Sequence, residues 1–259
     1  MTRSHLNFLC VLSLFFLASS SVRIVAQNKK QLQIQRLKTP PKIDGNLNDS
    51  IWIIAPRTEG FTQFEPNAGI KDSPSTRTVV QMSYDDKAIY LAAYLYHDPN
   101  LMMNQITARD DFGQTDFFTL ILNPNNDAQN DTQFIVFSSG VQADATFTPS
   151  NGRDLGWNAV WDSAVKKQKD GWSLEMKIPY RALRFANREV QTWGIQFQRF
   201  FRRYRSSYAW NPIDVTKGNF GLYHGELSGL QNIEPPTRLA FYPFTTGILN
   251  SFDGETQTD

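Results

Sequence analysis

The chain has 259 residues, with 26 basic residues against 25 acidic ones, and 13% of its residues are aromatic. The balanced charge excludes the strongly basic surface that nucleic-acid binding requires. Six tryptophans and nineteen phenylalanines are enough for a single core of domain size and leave aromatic side chains for a binding face.

The first residues have the pattern of an export signal. A basic start leads into an apolar run, Leu6–Leu17, which is too short to span a bilayer. Small residues follow, and cleavage after Ala26 is predicted, with Ser20 or Ser21 as the alternative. We therefore expect residues 1–26 to be a signal peptide and the remainder to be exported.

The only cysteine, Cys10, lies inside this apolar run rather than after it, which argues against a lipid anchor. Cleavage would leave no cysteine, so the stability of the mature chain must come from a packed core. Cleavage would also remove Arg3 and Arg23 and no acid, which leaves 24 basic residues against the 25 acidic ones. No nucleic-acid partner is expected.

Strand patterns dominate the rest of the chain. The run 88–97 is almost entirely apolar, as in a central strand buried on both faces, whereas 172–178 alternates strictly, as in a half-buried strand. A single helical turn is predicted at 180–185. The predicted strands are 76–84, 88–97, 117–122, 132–138, 142–148, 172–178, 193–201 and 220–227. This pattern predicts an all-β fold, an antiparallel β-sandwich of jelly-roll or immunoglobulin-like architecture.

Two consecutive prolines, Pro235 and Pro236, end the strand pattern because proline cannot donate to a β-ladder. We expect the sandwich to occupy residues 27–234. Residues 235–259 are then a linker and the start of a further region, with a new aromatic strand at 238–245.

A short motif near the start of the predicted sandwich combines a turn and an aromatic anchor. In the stretch 43–45 (Ile-Asp-Gly) the aspartate can bond the backbone two residues on, and the glycine accepts positive φ. Asn48 or Asp49 is then predicted to cap a short helix. That helix places Ile51 and Trp52 in a core.

This motif resembles the N-terminal signature of the carbohydrate-binding module family 9-like domain. Four further stretches, in the same order as in the family, extend the resemblance over about residues 37–232: 84–99, 109–116, 170–179 and 183–197. The resemblance implies a β-sandwich that binds carbohydrate, is linked to carbohydrate catabolism and has no catalytic activity. No nucleophile elbow, metal-type histidine pair or phosphate loop occurs in the sequence.

Two stretches, 157–161 and 199–205, resemble the subtype found at the front of large Gram-negative outer-membrane proteins, where a β-barrel follows. This resemblance implies a location in the periplasm, the outer membrane or the cell surface. Attachment to the membrane would then run through a region after residue 235.

The sequence departs from the family at the sugar-contacting positions. Characterised members stack a sugar between two tryptophans and bond it through Glu, Arg and Asn. The matching positions here are Thr119, Ile135 and Phe137, and Trp210 matches a tryptophan that precedes the second stacking residue. The family's known site is therefore not expected in its usual form.

Exposed aromatic rings are the candidates for sugar contact. Trp157 lies in a loop rich in Gly, Asn and Asp, where a core residue is less expected. The alternative for Trp161 is a place in the core, because its position in the strand pattern, like those of Trp172 and Trp193, is typical of buried residues. The candidate ligand-binding residues are Trp157, Trp161, Tyr208 and Trp210.

Acidic turns flank one predicted strand, and oxygen-rich turns suit Ca²⁺, which the family often holds. The alternative is that these acids are solvated turn residues. The candidate metal ligands are Asp110, Asp111, Asp116 and Asp127, next to Asn123 and Asp131.

Arg199 shares the inward face of its strand with Phe197 and Phe201, so we expect it to pair with a buried acid, Glu175. The arginines at 202, 203 and 205 are expected either at a solvated strand end or against lipopolysaccharide phosphates.

Two functional hypotheses follow. The first is an exported module that binds a glycan or envelope polysaccharide. The second is a structural or protein-interaction domain of an outer-membrane protein that has lost sugar binding.

Overall fold

Two mixed β-sheets pack face to face in this chain, as seen in a computed structural model that describes residues 29–237, 243, 246, 249–252 and 255–258. The predicted β-sandwich is confirmed. The elements, in chain order, are β1 (Gln31–Gln33), β2 (Gln35–Arg36), α1 (Ser50–Ile54), β3 (Arg57–Thr58), β4 (Thr62–Glu65), β5 (Thr78–Tyr84), β6 (Ala88–Tyr96), β7 (Phe117–Asn123), β8 (Asp131–Phe137), β9 (Gln142–Thr148), β10 (Gly152–Asp154), β11 (Asp162–Gln168), β12 (Gly171–Pro179), η1 (Tyr180–Ala182), β13 (Val190–Phe201), β14 (Ser206–Ala209), η2 (Val215–Lys217), η3 (Phe220–Tyr223), β15 (Gly225–Gln231), β16 (Leu249–Phe252) and β17 (Glu255–Thr258).

The large sheet has nine strands in the order β1-β15-β13-β7-β8-β9-β10, with β14 beside β13 and β4 beside β14. The small sheet has six strands in the order β11-β12-β6-β5-β2, with β3 against β5. Pairing is antiparallel except at β1 with β15 and β2 with β5, which are parallel. The sandwich is therefore mainly antiparallel, and the two parallel pairings make both of its sheets mixed.

Most predicted strands are present with small shifts at their ends. The last one differs, because residues Phe220–Tyr223 form the 3₁₀ helix η3 and β15 starts only at Gly225. Asn219 favours the helix, since its side chain accepts a hydrogen bond from Gly221 N at 2.9 Å. The predicted helical turn after 180 is confirmed as η1.

The main core fills the space between the two sheets. Every second residue of the central strands points into it, for example Phe118 and Leu120 of β7 and Phe197 of β13, all buried. Burying side chains of this size stabilises the fold by about 1.5–3 kcal/mol each. The opposite face of the large sheet is thereby left for other contacts.

A second core covers the outer face of the small sheet. Leu37, Trp52 and Ala55 pack there on Ala88 and Tyr90 of β6. This layer explains why β6 is buried on both faces, as its sequence predicts. It also buries the polar face of β12, where Ser173 and Glu175 are fully inaccessible, so the prediction that this strand is half-buried is wrong.

The turn predicted at 43–45 forms as expected. Asp44 Oδ1 accepts a hydrogen bond from Asn46 N at 2.9 Å, and Gly45 has a φ of 79°. A side chain at Gly45 would meet the backbone of Val165 at 2.9 Å, so both the conformation and the close approach require glycine. Asp49 is at the N-cap of α1, but its carboxylate accepts from Lys42 N instead of capping the helix.

Glu175 joins this turn to β12. Its Oε2 accepts hydrogen bonds from Asp44 N at 2.9 Å and Gly45 N at 2.8 Å, and its Oε1 accepts from Trp52 Nε1 at 2.7 Å. Burial raises the pKa of Glu175, and the three N–H donors oppose that effect by stabilising the carboxylate. The two sequence motifs of the N-terminal segment and of β12 therefore meet at one carboxylate.

The predicted C-terminal boundary falls just after the last strand of the large sheet, which ends at Gln231. Further on, β16 and β17 pair with each other as a separate two-stranded sheet. The predicted signal peptide and most of the predicted strand at 238–245 lie outside the described residues. Within the described part, no helix has the length and apolarity to cross a membrane.

We expect Glu175→Gln to lower the free energy of unfolding by about 2 kcal/mol. The amide nitrogen replaces a carboxylate oxygen that accepts a hydrogen bond, so at least one of the three buried N–H groups loses its acceptor. Urea unfolding of the purified protein measures this change. The matched control is Glu189→Gln, at an exposed position, which should change stability by less than about 0.5 kcal/mol. Equal effects of the two substitutions would contradict the role given to Glu175.

Candidate functional site

A concave cleft lies on the outer face of the large sheet, opposite the main core. Its volume is about 300 Å³, and β4, β7, β8, β9, β10, β13 and β14 contribute to its walls. The residues that line it on the sheet alternate with core residues, because neighbouring side chains of a strand point to opposite faces. The lining includes Phe64, Glu65, Phe117, Ile121, Gln133, Phe147, Arg153, Gln198, Phe200 and Ser207.

Two aromatic rings of the cleft stack on each other. Phe117 of β7 and Phe200 of β13 are cross-strand partners, with ring centroids 4.9 Å apart and ring planes inclined by 25°. Both side chains are partly exposed. They form an apolar platform that a ligand can reach.

Polar groups surround this platform, and several have bonding capacity left. The amide of Gln198 makes no side-chain hydrogen bond within the described part of the chain. Arg153 donates through Nε to Gln133 Oε1 at 2.8 Å, which leaves its terminal nitrogens available. Within the described part of the chain, the Glu65 carboxylate accepts a hydrogen bond only from Ser207 Oγ, at 3.3 Å. A ligand with several hydroxyl groups would find both donors and acceptors here.

Gln196 also lines the cleft but serves the fold. Its amide nitrogen donates to Asn211 O and Tyr223 O, and its amide oxygen accepts from Asn211 N and Phe197 N. All of its hydrogen-bonding groups are therefore used within the protein, and it holds the chain after β14 against the sheet.

Comparison with known families identifies the domain. Residues 43–205 match the family described as Carbohydrate family 9 binding domain-like. The chain belongs to this family. Since it is a family of binding modules, the prediction that the family 9 domain is non-catalytic is confirmed.

Solved structures share this fold. A carbohydrate-binding module family 9 from Caldicellulosiruptor kristjanssonii in complex with cellotriose is 18% identical, with a TM-score of 0.57, covering 84% of this chain and 100% of its own. The same organism's module in complex with glucose is also 18% identical, with a TM-score of 0.57, covering 82% and 99%. A candidate carbohydrate-binding protein from Bacteroides uniformis is 12% identical, with a TM-score of 0.60, covering 77% and 99%. No curated protein sequence matches the chain.

The positions that match the family's sugar-bonding residues lie on the cleft side of the large sheet. Thr119 pairs with Ile135 on β8 and with Gln198 on β13. Ile135 and Phe137 form an apolar cluster with Phe112 and Phe117. Ile135 and Phe137 are both 0% exposed, so at these two positions the family 9 domain has packed apolar side chains and no exposed polar group.

The four predicted ligand-binding residues do not come together. Trp157 is half-buried and packs edge-on against Phe134, with centroids 6.0 Å apart. Trp161 is buried, 5% exposed, against the same phenylalanine. Of these two, only Trp157 has a substantially accessible ring.

Trp210 is a core residue, so its expected exposure is wrong. It is 0% exposed, and its Nε1 donates to Thr58 Oγ1 at 2.6 Å. A side chain at Gly225 would lie 2.4 Å from the indole ring, which shows how closely the glycine packs on it. A ring enclosed in this way has no face open to a sugar.

Tyr208 points away from the cleft. It pairs with the inward-facing Arg199 and packs on Phe201 with centroids 5.5 Å apart. Burial raises the pKa of its hydroxyl. On the same strand it is Ser207 that faces the cleft.

The four predicted calcium ligands do not converge. Asp110 and Asp116 accept from the backbone N–H groups of Asp144 and Arg202, and Asp127 accepts from its own turn at Gln129. Asp111 accepts from Gly113 N. In the described ranges no group of three or more His, Cys, Asp or Glu side chains is placed to hold a metal ion. These residues therefore do not fit a shared calcium ion. The alternative of solvated turn acids does not describe Asp116, which is 1% exposed and has an oxygen 3.3 Å from His97 Nε2.

Arg199 does not pair with Glu175. Its guanidinium donates to the carbonyl oxygens of Thr76 and Tyr96, both at 2.7 Å. Its Cζ also lies 4.0 Å from the ring centroid of Phe201. Burial lowers the pKa of Arg199 to about 9. The backbone carbonyl groups of Thr76 and Tyr96 therefore take the place of the expected acidic partner, Glu175.

The nearby arginines bond to loops of the protein. Arg202 Nε donates to Gln114 Oε1 at 2.8 Å, and Arg203 Nε donates to Leu101 O at 2.9 Å. These contacts agree with a structured strand end. Lipopolysaccharide contact by these residues stays a prediction.

Sequence reasoning missed Phe200 and Gln198, which form part of the cleft. The signal was present, because the alternation that places Phe197 and Arg199 inward places their neighbours outward.

We expect Trp210→Ala to cost about 3–5 kcal/mol in unfolding free energy, as for other large core side chains. Trp157→Ala should cost less than about 2 kcal/mol, since part of that ring is already exposed. Denaturant unfolding of both variants measures the difference. Similar losses in the two variants would show that Trp157 is as deeply structural as Trp210.

Proposed function

We propose that this chain is an exported, non-catalytic module that binds a glycan or envelope polysaccharide in the outer-face cleft. The observation that carries the proposal is the stacked pair Phe117 and Phe200 in a cavity of about 300 Å³. Beside this pair lies the amide of Gln198, which has no hydrogen-bond partner among the residues that the structure describes. That volume is at the lower end of the range for small-molecule sites.

The chemistry of the cleft suits a sugar. The C–H face of a pyranose ring packs on aromatic rings, which lose little conformational entropy on binding because they are already packed. Sugar hydroxyl groups need donors and acceptors, and the amide of Gln198 supplies both. The terminal nitrogens of Arg153 are hydrogen-bond donors, and the carboxylate of Glu65 is an acceptor.

The cellular setting proposed here rests on sequence. The leader pattern of residues 1–26 supports export, and the resemblance of 157–161 and 199–205 to the Gram-negative subtype supports a place in the periplasm, at the outer membrane or on the cell surface. Attachment there would run through residues after 235. A role in carbohydrate catabolism follows from the resemblance to the family.

A structural or protein-interaction role is the second candidate. The partly exposed rings of Phe112, Phe117 and Phe200 on the cleft side favour it, because an exposed apolar patch suits a protein partner. The positions that match the family's sugar-bonding residues, Thr119, Ile135 and Phe137, are buried beneath these rings. This candidate replaces the first if no glycan binds.

We expect Phe200→Ala to weaken glycan binding roughly ten- to a hundredfold, corresponding to loss of one stacking ring at about 1–3 kcal/mol. A glycan array that includes β-glucans, because solved members of the fold are complexed with cellotriose and glucose, identifies the ligand. Isothermal titration then measures the change.

The matched control is Tyr204→Ala, which removes an exposed aromatic ring, 51% accessible, outside the cleft. Thermal unfolding verifies that both variants remain folded. If the unmodified protein binds a glycan and Phe200→Ala binds it equally well, the cleft is not the site.

A further inference from the structure

A second groove borders Trp157 at the open end of the sandwich. Its volume is about 380 Å³, and its walls come from the loop after β7, the ends of β8 and β9, and the chain after η1. Thr132 and Thr146 form a cross-strand pair in its wall. They share the inner face of the sheet with Phe134, on which Trp157 packs.

Trp157 differs from the other five tryptophans of the chain. All five are at most 5% exposed, and three of them donate their indole N–H to a protein acceptor. Trp157 is half-exposed, and its indole N–H has no acceptor within the described part of the chain. A ring that is fixed on one side and open on the other is suited to stacking on a flat ligand.

The polar side chains around Trp157 have free hydrogen-bonding groups. The hydroxyls of Thr132 and Thr146, the amide of Asn125 and the guanidinium of Arg184 make no side-chain hydrogen bond within the described residues. Arg184 and Asn125 are exposed, and the two threonines are half-buried. Donors and acceptors therefore surround an accessible ring, which is the chemistry that a sugar residue needs.

This groove adjoins the outer-face cleft. Asp131 and Phe147 line both cavities, and these two residues are cross-strand partners at the ends of β8 and β9. The carboxylate of Asp131 is held by Asn123 Nδ2 at 3.0 Å, so the shared wall is fixed. The cleft is on the outer face of the sheet and Trp157 is on the inner side, so a ligand reaches both by bending over the ends of β8 and β9.

We infer that the Trp157 groove is a second subsite for the same glycan, so that the ligand is an extended oligosaccharide or polysaccharide segment. The inference rests on the proposed function, since the first subsite is the outer-face cleft. It predicts that affinity rises with chain length and that Trp157 and Arg184 contribute only to the binding of long chains. Phe200 contributes to chains of every length.

The experiment titrates the full chain with mono-, tri- and hexasaccharides of four series: β-1,4-glucan, α-1,4-glucan, β-1,4-mannan and β-1,4-linked N-acetylglucosamine. In the series that binds, the hexasaccharide should bind at least about tenfold more tightly than the monosaccharide. Trp157→Ala should remove most of this advantage and leave monosaccharide affinity unchanged.

Trp157→Ala removes a packing contact with Phe134 as well as the accessible ring. A second variant therefore tests the groove at a side chain outside the core. Arg184→Ala alters an exposed side chain and should also weaken hexasaccharide binding alone. The matched control is Arg188→Ala, an exposed arginine outside the groove, which should have no effect.

Each outcome decides between the two proposals. If the monosaccharide and hexasaccharide bind equally and both groove variants behave like the unmodified chain, the second subsite is overturned and the proposed function stands. If a length advantage exists but Trp157→Ala and Arg184→Ala retain it, the extra contacts lie elsewhere and the inference is again overturned. If no sugar of any length binds to the unmodified chain, the proposed function fails and the inference fails with it.

Discussion

The carboxylate of Glu175 is the contact on which the N-terminal half of the fold depends. It is buried, it accepts three N–H donors, and those donors belong to a turn and a helix that precede it by most of the length of the domain. A buried carboxylate is costly unless its oxygens are bonded. Here the three N–H donors offset that cost. The same hydrogen bonds fix the turn and Trp52 in one geometry, and with them the layer that covers the small sheet.

The outer face of the small sheet is covered by a packed layer, whereas the outer face of the large sheet carries the cleft. The small sheet is enclosed between the main core and the layer of Leu37, Trp52 and Ala55. The large sheet has its core on one side and the Phe117–Phe200 platform on the other. The two outer faces thus differ, since a packed layer covers one and the cleft opens on the other.

The sequence predicts the elements well because alternation and turn chemistry act locally. It places β6, β9 and the turn at Gly45 correctly, and it identifies Trp172 and Trp193 as core. It fails where a distant segment decides burial. The polar face of β12 is covered by a layer far away in sequence, Arg199 finds backbone carbonyls instead of an acid, and Trp210 is enclosed although turn residues follow it. Alternation along β13 places Phe200 and Gln198 on the outer face, but the cleft that they line forms only from several strands brought together by the fold.

The pairing of β1 and β2 has a consequence for the order of folding. This short segment lies against β15 in one sheet and β5 in the other, and β15 is the last strand of the sandwich to be synthesised. Contacts between the two ends of a domain are entropically expensive to form and slow folding. The contact between β1 and β15 can therefore form only after nearly the whole domain has been synthesised, so this edge of the large sheet is completed last.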